Sequence, residues 1–126
     1  MPDKRRRTRI DLRLEAKVYG EEDVIHSWTK NISLKGVLLK YNEQLSKLEL
    51  GKVYKLNLIH AGCLEMNVLA KLVDSQEKRG VAFDFVRLDE VSFRHLFNLI
   101  RINSDDPDLI EEELLNPAFD IRDLED

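Results

Sequence analysis

The sequence predicts a mainly β protein, a six-stranded antiparallel barrel followed by one C-terminal helix and a short acidic helical tail. Three observations support this fold. Six segments of strand-like character lie between residues 10 and 85, short polar turns separate most of them, and no helical crossover interrupts them. After Asp89 the apolar period changes from two to about 3.6, which indicates a helix.

The first three predicted strands cover residues 10–19, 24–30 and 37–41. The first alternates clearly, and the residues predicted to share its buried face are Ile10, Leu12, Leu14, Ala16 and Val18. The second has β-forming residues but a blurred alternation. Trp28 in this strand, like Phe83, Phe93 and Phe97 later in the chain, is predicted to be a core residue rather than a ligand platform.

The remaining elements follow in order. A fourth strand is predicted at 53–59, a hairpin turn at 60–62, a fifth strand from 64 to 72 and a sixth from Gly80 to Phe85. The helix should cover residues 90–102, with an apolar face made of Val91, Leu96, Leu99 and Ile100. A second, acidic helix is predicted at 107–115, because Pro107 suits a first helical turn.

Charge divides the chain into three parts: a flexible basic arm at 1–9, the barrel and helix at 10–102, and an acidic extension at 103–126. The arm has five basic residues and one acid, whereas the extension has ten acids and one arginine. A single cysteine allows no internal disulfide, and no apolar run is long enough for a membrane span or a signal peptide. We therefore expect a cytoplasmic protein.

Two short motifs carry the candidate chemistry. Arg5 and Arg9 form an R-x-x-x-R pair, and in an extended arm their even spacing places both on one side. Asn31, Ser33 and Gly36 form an N-x-S-x-x-G turn, in which glycine can supply a positive φ. A planar arginine fork can bind a phosphate or the O6 and N7 atoms of guanine, and can stack on a purine.

Together, in this order and around this strand pattern, the two motifs resemble those of the PilZ domain family over about residues 4–102. The resemblance implies a receptor for cyclic di-GMP in bacterial signal transduction. It assigns Arg5, Arg9, Asn31, Ser33 and Gly36 to ligand binding, with Arg6 as a secondary contact. Many members have Asp where this chain has Asn31, and the segment from Gly80 to Phe83 resembles the late Gly-x-x-Phe strand of the family.

The leading interpretation is a non-enzymatic receptor that binds cyclic di-GMP where arm and turn meet at one mouth of the barrel, and that then regulates an unidentified protein partner. The alternative is a PilZ-like scaffold in motility or secretion machinery that binds no ligand. A nucleic-acid-binding barrel is disfavoured, because the positive charge is confined to the arm and no row of aromatic residues accompanies it. The three histidines lack metal-site spacing, Ser33 has no evident base, and neither a catalytic nor a metal site is predicted.

Overall fold

The computed structural model describes residues 9–62, 64–104 and 120–121. The strands are β1 (Arg9–Ile10), β2 (Glu15–Tyr19), β3 (Val24–Ser33), β4 (Gly36–Leu39), β5 (Val53–His60), β6 (Leu64–Gln76), β7 (Gly80–Leu88) and β8 (Asp120–Ile121). One α-helix, α1 (Glu90–Asn103), follows β7, and a 3₁₀ turn (Leu45–Lys47) lies between β4 and β5.

Six of these strands close into an antiparallel barrel, as predicted. Hydrogen bonds join β3, β2, β5, β6, β7 and β4 in that order, and β4 pairs in turn with β3. The two-residue strands are additions: β1 pairs antiparallel with β3, and β8 pairs parallel with β7. Closure leaves no long unpaired strand edge in the barrel.

The first predicted strand is broken in the structure. Arg9 and Ile10 form β1, residues 11–14 leave the ladder, and β2 begins at Glu15. Thr29 of β3 bridges the break, because its hydroxyl accepts a hydrogen bond from the backbone N–H of Leu14 at 2.7 Å and donates one to the carbonyl of Leu12. The alternation did not reveal the break, since Ile10 and Leu14 are both buried.

Side-chain direction along β3 explains why its sequence alternation looked blurred. Ile25, Ser27 and Thr29 are buried. The Ser27 hydroxyl donates to the carbonyl of Lys40 at 2.8 Å, so two of these three inward positions carry hydroxyls that bond to the backbone. Trp28 is 40% exposed with the Arg13 guanidinium 4.4 Å from its ring centre. The prediction that Trp28 belongs to the core was therefore wrong.

The core fills the barrel with inward residues from every long strand. The largest fully buried side chains include Phe83, Leu56, Leu58, Met66 and Leu72. Several strands are longer than predicted: β3 continues to Ser33, β6 to Gln76 and β7 to Leu88, whereas β4 starts at Gly36 and stops at Leu39.

Helix α1 begins where predicted and packs against β6 and β1. Asp89 caps its N-terminus by accepting a hydrogen bond from the N–H of Ser92 at 2.7 Å. Leu96, Leu99 and Ile100 are buried, but Val91 is 61% exposed, so its assignment to the apolar face was wrong.

The acidic helix predicted at 107–115 lies outside the described residues, as do residues 1–8 of the basic arm. Arg9, assigned to that arm, belongs to β1 instead. In the acidic extension, Asp120 and Ile121 form β8 beside Arg87 and Leu88.

Candidate functional site

Strand β1 brings the end of the R-x-x-x-R motif to the second motif. Arg9 lies directly opposite Ser33, and Ile10 lies opposite Ile32. Ile10 and Ile32 are both buried, so they hold β1 against the barrel, while Arg9 is exposed on the outer side. Two residues 24 positions apart in sequence are therefore cross-strand neighbours. Arg5 and Arg6 lie outside the described residues.

Asn31 begins one row of outward positions that crosses four strands. It pairs with Leu38 of β4, Leu38 pairs with Ala82 of β7, and Ala82 pairs with Asp74 of β6. A bulge between Thr29 and Asn31 changes the register of β3 here. The motif predicted that Asn31 lies in a turn, but the structure places it in strand β3.

A second row contains both motifs. From Arg9 and Ser33 it continues across the β3–β4 turn to Gly36, and Gly36 pairs with Asp84 of β7. Along a strand, residues two apart are separated by about 7 Å, which is the spacing between the two rows. The predicted residues Arg9, Asn31, Ser33 and Gly36 are therefore brought together on one patch of the barrel wall.

The Ser33 hydroxyl organises the turn between β3 and β4. It accepts hydrogen bonds from the N–H groups of Lys35 at 3.0 Å and Gly36 at 3.2 Å, and the side chain is only 5% exposed. These bonds occupy the two lone pairs of the hydroxyl. The local role of Ser33 is therefore to fix the loop, while its contact with a ligand stays a prediction.

Gly36 is required for a reason other than the predicted positive φ. The positive-φ glycines of the described chain are Gly51, Gly62 and Gly80. At Gly36 an added Cβ would lie 2.2 Å from the carbonyl oxygen of Phe83 and 3.2 Å from Cα of Asp84. The motif glycine thus allows β4 and β7 to approach each other closely.

These rows border a groove of about 630 Å³, within the size range of small-molecule sites. The groove lies on the outer wall of the barrel. The sequence had instead predicted that the arm and the turn meet at one mouth of the barrel. Leu38 and Ala82 are outward residues of the groove lining, since their strand neighbours on both sides are buried. Its charged lining comprises Arg9, Lys35, Arg79, Asp74 and Asp84.

Four of these five charged residues were not singled out from the sequence: Lys35, Asp74, Arg79 and Asp84. Lys35 is an unspecified position of the N-x-S-x-x-G motif, and its N–H group is held by Ser33. Arg79 and Asp84 belong to the β6–β7 hairpin and to β7, more than 40 residues after the motif. The alternation of Asp84 with Phe83 and Phe85 marked it as outward-facing, but only the barrel pairing places it beside Gly36.

A second cavity, of about 520 Å³, lies at the other end of β3. A ten-residue strand spans about 30 Å, so this cavity is well separated from the groove. Its lining includes Glu21, Glu22, Asp23 and Glu49 with Lys47 and Lys52. This acidic surplus makes the second cavity unfavourable for a phosphate ligand.

A family model for the PilZ domain matches residues 3–101. The chain belongs to the PilZ domain family. No curated protein matches it significantly. The late Gly-x-x-Phe segment of this PilZ domain corresponds to the start of β7, where Gly80 has φ +124° and lies against the carbonyl of Leu39.

Two solved structures share the fold of this PilZ domain. One is the inhibitor of motility MotI/DgrA of Bacillus subtilis, with 15% identity and a TM-score of 0.64 over 91% of this chain. This chain spans only 54% of that protein. The other is the PilZ domain of CeSA from a cellulose-synthesizing bacterium, with 18% identity and a TM-score of 0.56, covering 73% of this chain and 97% of that one.

The described residues contain no group of three or more His, Cys, Asp or Glu side chains that could hold a metal ion. They also contain no helix with the length and hydropathy of a membrane span.

Proposed function

We propose that this PilZ domain is a non-enzymatic receptor for cyclic di-GMP that regulates a protein partner when the nucleotide binds. The observation that carries the proposal is the placement of Arg9 opposite Ser33, which joins the two motifs at one groove. Membership of a family whose domains generally bind this nucleotide supports the same conclusion.

The chemistry of the groove suits this ligand. Cyclic di-GMP offers two phosphates and two guanines, and an arginine fork pairs with either group through two parallel hydrogen bonds. Arg9 and Lys35 provide positive charge on the motif side. Leu38 and Ala82 provide an apolar surface on which the face of a base can lie.

In the mechanism that we propose, the nucleotide draws the arginines that precede β1 onto the groove. Arg5 precedes Arg9 by four residues, so in an extended chain both side chains point to the ligand, with Arg6 as a secondary contact. Ordering this segment costs conformational entropy, which the charge-assisted hydrogen bonds must exceed. The covered groove then presents a new surface to the partner.

Calorimetric titration with cyclic di-GMP tests the proposal. Wild-type protein should bind, and Arg9→Ala should lose on the order of 1.5–3 kcal/mol, which is about 10- to 150-fold in Kd. Arg94→Ala is a matched control, because Arg94 is an exposed helix arginine that pairs only with Glu90 at 3.5 Å among the described contacts. Its Kd should equal that of the wild type.

Two results would contradict the proposal. One is the absence of binding to the wild type at high micromolar nucleotide, which would favour the scaffold alternative. The other is an equal affinity of the wild type and Arg9→Ala, which would show that the nucleotide does not bind in the groove beside Arg9.

A further inference from the structure

Asp84 lies in the row of the groove that contains both motifs. It pairs with Gly36 in the β4–β7 ladder and points outward, because Phe83 and Phe85 on either side of it are buried. The side chain is half-buried and lines the groove. Gly36 has no side chain, so nothing from β4 stands between Asp84 and the motif residues of β3, two strand spacings or about 10 Å away.

Asp74 and Asp84, the carboxylates that line the groove in the described part of the chain, differ in their partners. Asp74 is engaged: Nε2 of Gln76 donates to its two oxygens at 3.1 and 3.3 Å, and Nη1 of Arg79 lies 4.0 Å away. Asp84 makes no hydrogen bond or ion pair with the described part of the chain, although Lys71 lies opposite it in the β6–β7 ladder. With respect to residues 9–62, 64–104 and 120–121, Asp84 therefore presents a free acceptor to the groove.

A free carboxylate has a specific complement on a nucleobase. Its two oxygens accept parallel hydrogen bonds, and the Watson–Crick edge of guanine donates two, from N1–H and N2–H. Adenine presents an acceptor at N1 and does not fit. The amide of Asn31 offers only one acceptor oxygen beside a donor NH₂ group, so it cannot make the same pair.

We propose that Asp84 accepts the N1–H and N2–H hydrogen bonds of one guanine and so provides the selectivity of the groove for guanine. This inference rests on the proposed function and deepens it. The carboxylate comes from β7 in this chain, whereas position 31 carries an amide. Arg9 and Lys35 are left to the phosphates and to the opposite edge of the base.

The test compares cyclic di-GMP with cyclic di-IMP, whose hypoxanthine bases lack the 2-amino group. Wild-type protein should bind cyclic di-IMP about tenfold more weakly, since one charge-assisted hydrogen bond is lost. In Asp84→Asn the amide NH₂ opposes a donor of guanine. This variant should bind cyclic di-GMP at least about tenfold more weakly and should favour guanine over hypoxanthine by no more than about twofold.

Asp74→Asn is the matched control, because Asp74 lines the same groove but is already engaged by Gln76 and Arg79. It should keep the wild-type preference for guanine. Thermal unfolding of each variant checks that the barrel is intact.

The outcomes separate the two proposals. If the wild type binds both nucleotides equally, or if Asp84→Asn keeps the wild-type affinity and preference, the role of Asp84 is refuted while the receptor function stands. If the wild type binds neither nucleotide, the receptor function fails and the inference fails with it. A loss of preference in Asp74→Asn alone would assign the selectivity to the other carboxylate.

Discussion

Replacing Gly36 by alanine tests why the motif contains a glycine. The new Cβ would lie 2.2 Å from the carbonyl oxygen of Phe83. Ordinary carbon–oxygen contacts begin at about 3.3 Å, so β4 and β7 would have to separate by roughly 1 Å. A ladder hydrogen bond of about 2.9 Å stretched by that amount is no longer a hydrogen bond.

The obstacle to this methyl group is backbone on a central strand, and a rotamer change cannot relieve it. We therefore expect Gly36→Ala to lose about 3 kcal/mol in the free energy of unfolding, the upper end of the usual cost of overpacking. For a domain of this size the midpoint of thermal unfolding should fall by about 10 °C. Urea unfolding measures the free energy and a thermal melt measures the midpoint, both followed by circular dichroism without nucleotide.

Gly20→Ala is the matched control. Its φ is not positive, and the nearest atom to its Cβ would be Oδ1 of Asp23 at 3.1 Å, the end of a flexible side chain. Its free energy of unfolding should stay within about 0.5–1 kcal/mol of the wild type.

A third variant separates steric contact from backbone conformation. Asparagine tolerates positive φ better than alanine does, so a glycine kept for its conformation would be replaced more successfully by Asn than by Ala. The close approach of β7 predicts that Gly36→Asn is no more stable than Gly36→Ala. Wild-type stability of Gly36→Ala would refute the reasoning, and a clear advantage of Gly36→Asn would restore the turn explanation.

Two further predictions concern stability and titration. Thr29→Val should lose about 2–3 kcal/mol in urea unfolding, because it leaves the buried N–H of Leu14 and the carbonyl of Leu12 without their hydroxyl partner; an unchanged unfolding midpoint would contradict the role of this bridge. Nuclear magnetic resonance titration should find the pKa of Glu21 below its ordinary value, because Lys52 hydrogen-bonds to the carboxylate at 2.8 Å and adds its charge. The small stabilisation from this exposed pair is present above the ordinary glutamate pKa and disappears as pH falls through the lowered folded pKa. Lys52→Met should return the pKa of Glu21 to its ordinary value, and a pKa that does not move would contradict the pairing.

The sequence by itself determined the elements with strong periodicity. The alternation of Leu56 and Leu58, or of Val81, Phe83 and Phe85, fixes which face of a strand is buried, because side chains of a strand alternate between two environments. The start of α1 was equally predictable, since the apolar period changes to about 3.6 after Asp89.

Local pattern misled where a tertiary partner changed the meaning of a residue. Trp28 is an apolar residue on the outer wall, where Arg13 covers one face of its ring. Ser27 and Thr29 point inward, because their hydroxyls form hydrogen bonds with backbone groups. The hydropathy of the sequence predicts neither the exposed tryptophan nor the buried hydroxyls, because the groups that contact these side chains lie 13 or more residues away in the chain.

The candidate site depends still more on the tertiary structure. The two motifs can be read from the sequence, but their meeting requires the pairing of Arg9 with Ser33, and the groove requires β7 to lie beside β4. Asp84 becomes a candidate site residue only through that pairing with Gly36. Strand register is set by barrel closure and by the buried face of every strand at once, so no local stretch of the sequence contains it.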